Sequence, residues 1–229
     1  MINLLTLLQI NDSMFPIGGF TQSYGLESYI NEGIVHNNET AEKYTRTMLL
    51  HNIYYNDAAF LHKAWNFAQE KRTAWANIKK LDELVTALKS PAEISNASQK
   101  LAIRFLKLTQ QLKKNTLCNK YLSTIEKGEL HGHYAIAFAL YAQGEGIPLK
   151  ETLTALYYNA LNGIVTNCAK MVPISQIVAQ KILFDLQPTV IDLVNSQHEM
   201  PESHIGICCI GQEIKCMQHE KLYSRIYIS

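Results

Sequence analysis

Between Leu153 and Met171, apolar side chains recur at Leu153, Leu156, Tyr157, Ala160, Leu161, Ile164, Val165, Cys168 and Met171. The spacing is helical, and it covers more than one stripe of the helix surface. Such a helix belongs at the centre of a bundle or at a buried interface. Pro173 follows, and it lacks the N–H that would reach back to Ala169. The helix must therefore kink or split there before resuming through Ile177, Val178, Ile182, Leu183 and Leu186.

Other segments supply the neighbours that this helix requires. A short opening helix over Ile2–Ile10 carries Leu4, Leu5, Leu7 and Leu8 on its apolar side. A second register from Tyr24 to Ile30 stops near Gly33, with Tyr29 and Ile30 inward and Glu27 at the rim. Asn37 or Asn38 caps a longer pattern through Tyr44, Met48, Ile53, Phe60, Trp65 and Ala68. Asn56-Asp57 is the natural place for a kink or a new cap in it. Leu81 to Leu88 ends at Ser90-Pro91, and the pattern from Pro91 through Ile94, Leu101, Phe105, Leu108 and Leu112 has a solvated face bearing Lys100, Arg104, Lys107 and, just beyond it, Lys113. Leu117 to Glu129 reads as a looser linker. His131 to Tyr141 is rich in alanine, which lets neighbouring helices approach closely, and Pro188 opens a further short helix.

No long β-branched alternation occurs before residue 203. The expected fold is therefore all-α, a single-domain multi-helix bundle over 1–229 with short loops. From residue 203 the texture changes. Leu222, Tyr223, Ile226, Tyr227 and Ile228 are apolar enough to need cover, so 203–229 is expected to be a docking tail.

Composition narrows the function classes. The chain is 47% hydrophobic and only 18% charged, which points to a large interior or to a surface covered by other protein. A formal net charge of +1 without a run of Lys or Arg gives no footprint for nucleic acid. No stretch reads as a membrane span, and the N-terminus lacks the basic flank of a signal peptide. The odd set Cys118, Cys168, Cys208, Cys209 and Cys216 makes no disulfide framework, and a reducing, cytoplasmic setting is expected.

The stretch Phe15-Pro16-Ile17-Gly18-Gly19-Phe20 is an ordered turn rather than a linker, because its aromatics need burial in the chain's own core or in a partner. It has no following lysine and no preceding strand, so it is not a phosphate loop. Cys208, Cys209, Cys216 and His219 could supply metal ligands, yet adjacent cysteines point apart, and ordinary buried thiols are the simpler reading. His131 and His133 diverge on a helix. No paired acids, zinc-protease motif or nucleophile elbow marks a catalytic centre. Lys170 sits in the last turn of the apolar helix, where a cation complements the helix dipole.

Several of these stretches together resemble the urease accessory protein UreF family. The resemblance rests on Phe15-Pro16-Ile17-Gly18-Gly19-Phe20, Ser23-Tyr24-Gly25-Leu26-Glu27, Asn56-Asp57, Asn167-Cys168-Ala169-Lys170-Met171-Val172-Pro173, and His219 through Tyr227. It implies a helical, homodimeric, non-enzymatic assembly factor. Its partners would be a UreD/UreH-like accessory protein, a UreG-like GTPase and, through the complex, apo-urease; nickel and GTP would be handled mainly by those partners, with no cofactor here. The residues that the resemblance marks for partner binding or regulation are Phe15, Pro16, Gly18, Gly19, Phe20, Tyr24, Glu27, Asp57, Lys170, Pro173, Tyr223, Ser224 and Arg225. The ending departs from the family pattern, since Ile228 stands where a second Arg is usual. The alternative class is an all-α protein-binding adaptor with no part in nickel delivery.

Overall fold

A computed structural model describes residues 2–19, 22–70 and 72–227. Every regular element among them is helical. In chain order these are α1 (Ile2–Asn11), α2 (Leu26–Asn31), α3 (Asn38–Thr47), a π-helical stretch (Met48–Ala58), α4 (Ala59–Gln69), α5 (Ala74–Leu88) and α6 (Ala92–Leu112). They are followed by α7 (Thr116–Glu126), α8 (Tyr134–Gly144), α9 (Leu149–Met171), α10 (Gln176–Asp185), α11 (Gln187–Ser196) and α12 (Ile210–His219). Two short 3₁₀ turns, Gln197–Glu199 and Glu202–His204, lead into α12.

The centre of the bundle is α8 rather than the longer α9. Every residue from Ala135 to Ala142 is buried, and α4, α6, α7 and α9 pack around the helix. Its alanines let α4 and α6 approach closely all round, whereas α9 meets the π-helical stretch, α3, α10 and α11 through a buried face and leaves the other partly open. In α9 one face is buried through Leu153, Leu156, Tyr157, Leu161, Val165 and Cys168, while Tyr158 and Lys170 reach solvent. Pro173 does split the chain: Val172 turns extended, and the Ser175 hydroxyl caps α10 by accepting from the Val178 amide.

Three further expectations change. Asn56-Asp57 makes no break, because the helical path is continuous from Asn38 to Gln69 and widens to π geometry over Met48–Ala58. Widened turns re-aim side chains, and here Asn56 Nδ2 reaches the Asn52 carbonyl at 3.0 Å, within the segment itself. The supposed linker 117–129 is largely α7, capped by the Asn115 side chain at the Cys118 amide. Leu117, Tyr121, Leu122 and Ile125 supply its helical spacing. Finally, most of the apolar side of α1 is uncovered: Leu4, Leu5 and Leu8 are exposed, Leu7 is partly buried, and Ile10 is the buried residue of that helix.

A buried polar knot fixes the entrance to α8. Asp82 of α5 accepts from the amides of His131 (3.0 Å) and Gly132 (2.9 Å) and from the Tyr121 hydroxyl (2.5 Å). Tyr121 Oη in turn accepts from the His133 amide at 3.0 Å. The His133 ring lies between Thr86 Oγ1 and Ser98 Oγ. Burial holds its imidazole down, at about 4 against 6.5 for a free histidine.

Two outcomes follow from this knot. Tyr121→Phe removes a donor from a buried carboxylate and should lower unfolding stability by about 1–3 kcal/mol in urea titration. His133 takes up a proton in the unfolded chain near pH 6.5 but in the folded chain only near 4. Its contribution is thus complete above 6.5 and is lost as pH falls towards 4. Denaturant midpoints measured between about pH 7 and about pH 4.5 should fall accordingly, and His133→Gln should flatten that slope.

Candidate functional site

The turn before α2 is the foundation. Phe15 packs on Phe105 of α6 with ring centroids 6.0 Å apart, so this aromatic enters the chain's own core. The Ile17 amide donates back to the Phe15 carbonyl at 2.8 Å, and Pro16 supplies the fixed φ between them. Gly18 follows at φ +83°, and Arg104 Nη1 donates to the Ile17 carbonyl at 3.2 Å. Arg104 therefore pins the turn instead of merely facing solvent. Phe20 lies outside the described residues.

Tyr24 and Gly25 then take consecutive left-handed conformations, φ 51° and 82°. This pair turns α2 against α12. A Cβ on Gly25 would stand 2.9 Å from Cys216 Sγ and 3.3 Å from the Cys216 amide nitrogen. The Gln212 side-chain amide donates to the Tyr24 carbonyl, and Ser28 Oγ donates to the Lys215 carbonyl at 2.8 Å.

With α2 held in this way, Glu27 is not at a rim but buried, 6% exposed. One carboxylate oxygen accepts from the Ile226 amide at 2.8 Å. The other meets the Tyr227 amide at 3.0 Å and His219 Nε2 at 2.9 Å. The second ring nitrogen of His219, Nδ1, lies 2.7 Å from Glu93 of α6, whose other oxygen accepts from Arg225 at 2.7 Å. Burial pushes the Glu27 carboxyl up, but the bonds from His219, Ile226 and Tyr227 outweigh it and hold the group below its ordinary value. The closing segment through Tyr227 thus folds onto the chain itself, while Ile228 and Ser229 lie outside the described residues. Tyr227 is buried, whereas Tyr223, Ser224 and Ile226 stay exposed.

Lys170 joins the same corner from α9. It is exposed, and its Nζ lies 6.0 Å from the centroid of the Tyr227 ring. Pro173, also exposed, ends the helix that presents it. Segments far apart in sequence therefore converge: the turn and Glu27, the end of α9, and the closing residues through Tyr227.

Asp57 belongs to an adjoining feature. It forms a 2.9 Å ion pair with Lys89 at a cavity of about 180 Å³, which Gly19, Tyr24, Asn167, Gln212 and Cys216 also line. Asn167 Nδ2 donates to the Gln22 carbonyl at 2.7 Å, tying α9 to the turn. Burial, helped by the charge of Asp57, raises the Tyr24 phenol and keeps it neutral.

The metal readings do not assemble. Cys216 packs beneath Gly25, Cys209 faces the His51 carbonyl, Cys208 is exposed, and His219 is engaged by two carboxylates. Among the described residues, no group of three or more His, Cys, Asp or Glu is placed to hold an ion. Sequence reasoning missed Glu93 altogether and weighed His219 as a ligand. No local signal marked the set, since Glu27 is answered by His219 and two amides of the closing segment, and Glu93 by His219 and Arg225.

A direct test of the close approach is Gly25→Ala. It should cost about 1–3 kcal/mol in thermal or urea unfolding. Gly33→Ala is the control: φ is also positive, but nothing lies within 4 Å of its added Cβ. It should cost less, roughly 1 kcal/mol.

Comparison with known proteins accounts for the combination. The family model UreF matches residues 35–187. A urease accessory protein UreF of Haemophilus influenzae (strain PittGG) is 36% identical over 223 residues, 97% of this chain and 94% of that protein. One from Actinobacillus pleuropneumoniae serotype 5b is 36% identical over 228 residues, 97% of each chain. One from Lachnoclostridium phytofermentans is 32% identical over 227 residues, 98% of each. A helical bundle that folds its closing motif back onto α2 and α6, matched along nearly its whole length to these proteins, belongs to the UreF family.

Proposed function

We propose that this chain is a urease-maturation scaffold that bridges a UreD/UreH-like accessory protein and a UreG-like GTPase for GTP-dependent nickel insertion into apo-urease. The observation that carries the reading is full-length membership of a family of accessory proteins rather than enzymes. The bridging surface is centred on the corner where Glu27, Lys170 and Arg225 converge. Phe15, Pro16, Gly18, Gly19 and Tyr24 hold that corner in shape, while Tyr223 and Ser224 present their side chains outward. In this reading Phe20, Asp57 and Pro173 complete the regulatory set, and residues 203–229 act as a docking tail on a single helical domain.

Exposed apolar side chains support a covered surface. Ile2, Leu4, Leu5 and Leu8 on α1 and Ile210, Ile214 and Met217 on α12 all face solvent in the isolated chain. We assign the scaffold to the cytoplasm and to a homodimeric state. No described helix is long and apolar enough to cross a membrane. Nickel is cargo of the complex, and the nucleotide belongs to the GTPase.

Deleting the gene from a urease-positive host should leave urease protein present but poor in nickel and inactive, measured by activity and metal content. Normal nickel loading after deletion would contradict the assignment. Lys170→Ala should reduce urease activation several-fold while changing unfolding stability by less than about 0.5 kcal/mol, as suits an exposed side chain. Removing Leu222 through Ser229 should weaken co-purification with the two accessory partners and leave most helical circular dichroism intact.

A further inference from the structure

His219 is completely buried, and each of its ring nitrogens lies within 3 Å of a carboxylate oxygen, Glu27 on one side and Glu93 on the other. Ionised carboxylates only accept hydrogen bonds. A neutral imidazole has one N–H and one lone pair, so it can answer one of the two and must turn its lone pair on the other. The imidazolium answers both. It also balances the cluster, because Glu27 and Glu93 carry two negative charges and His219 and Arg225 then carry two positive ones.

We propose that His219 in its protonated form is the pin of a proton-sensitive latch that holds Arg225–Tyr227 closed on Glu27. The groups that face it are Glu27 from α2, Glu93 from α6 and, beyond Glu93, Arg225. Among the described residues Lys170 of α9 reaches the Tyr227 ring, and Cys216 on α12 itself stays a neutral thiol, pushed up to about 12 mainly by burial. Loss of the ring proton leaves two carboxylates against one remaining cation, with Glu27 and the ring itself buried and Glu93 and Arg225 at the solvent edge. Glu27 then loses a charge-assisted partner, and with it the fixed position that receives the Ile226 and Tyr227 amides. In acid the latch fails for the opposite reason: protonated Glu27 no longer accepts from every donor around it. The closed state therefore occupies a pH window, bounded below by carboxylate protonation and above by loss of the imidazolium proton.

The latch stands on its geometry alone. Its consequence, that one proton governs how freely the tail is offered to a partner, rests on the assembly reading above. The two fail separately, since the test uses the isolated chain and needs no urease.

The test is NMR on the full-length protein. Amide protection of Ile226 and Tyr227, corrected for intrinsic exchange at each pH, is followed beside the ring resonances of His219. Protection should fall at least tenfold as the ring loses its proton, roughly the factor of one charge-assisted hydrogen bond, and the two midpoints should coincide. His219→Gln, which keeps one donor and no charge, should show low protection that is flat over the same range. Glu93→Gln, a partly exposed position, should lower protection with circular dichroism unchanged. Protection that ignores the His219 transition in the unmutated chain would overturn the latch, as would full protection in a folded His219→Gln protein.

Discussion

A carboxylate taken out of water has to be answered on its lone pairs, and at Glu27 the answers come from the other end of the chain. Two backbone amides of the closing segment and a ring nitrogen at the end of α12 converge on one side chain of a six-residue helix. Left unpaired, that buried charge would be costly. Its satisfaction therefore requires α2, α12 and the last residues to be in place together. The turn before α2, the left-handed Tyr24–Gly25 pair and the tight contact with Cys216 all serve this closure.

The closure also places the neighbouring chemistry. Because α12 lies against α2, Gln212 meets the Tyr24 carbonyl, and the cavity beside it is walled by polar groups of the π-helical stretch and of α9. The side-chain oxygens of Asn167 and Gln212 and the Tyr134 hydroxyl are buried there with no hydrogen-bond partner among the described residues. Lys170 stands at the outer edge, over Tyr227. The corner thus has a rigid interior and an accessible cation. The proposed scaffold role draws on both, the interior to keep geometry and the cation to meet a neighbour.

Much of the fold was legible in residue spacing. The helical periods, the Asn37 cap, the split at Pro173 and the all-α class follow from local rules that tertiary packing did not overrule. Elsewhere the local signal was outweighed. Asn56-Asp57 carries turn chemistry, yet packing against the segment before α12 keeps the helix running, with the Gly206 amide bonded to the Tyr55 carbonyl at 2.7 Å. Leu117–Glu129 carried a helical period that its polar residues obscured. The site was legible as separate motifs, but not as a cluster: Glu27 and His219 are 192 residues apart, and no local pattern shows that Glu93 would complete the set. Burial of Glu27 is a property of the closed chain, not of the hexapeptide that carries it.

The central claim is that Glu27 and His219 act as one unit in closing the chain. A double-mutant cycle on unfolding stability tests it most directly, using Glu27→Gln, His219→Gln and the double variant at one pH within the closed window. The account predicts strong non-additivity, with a coupling of about 1–3 kcal/mol, because either single change already breaks the shared bond. Additive effects, within about 0.5 kcal/mol, would show that the two side chains do not depend on each other and would contradict it.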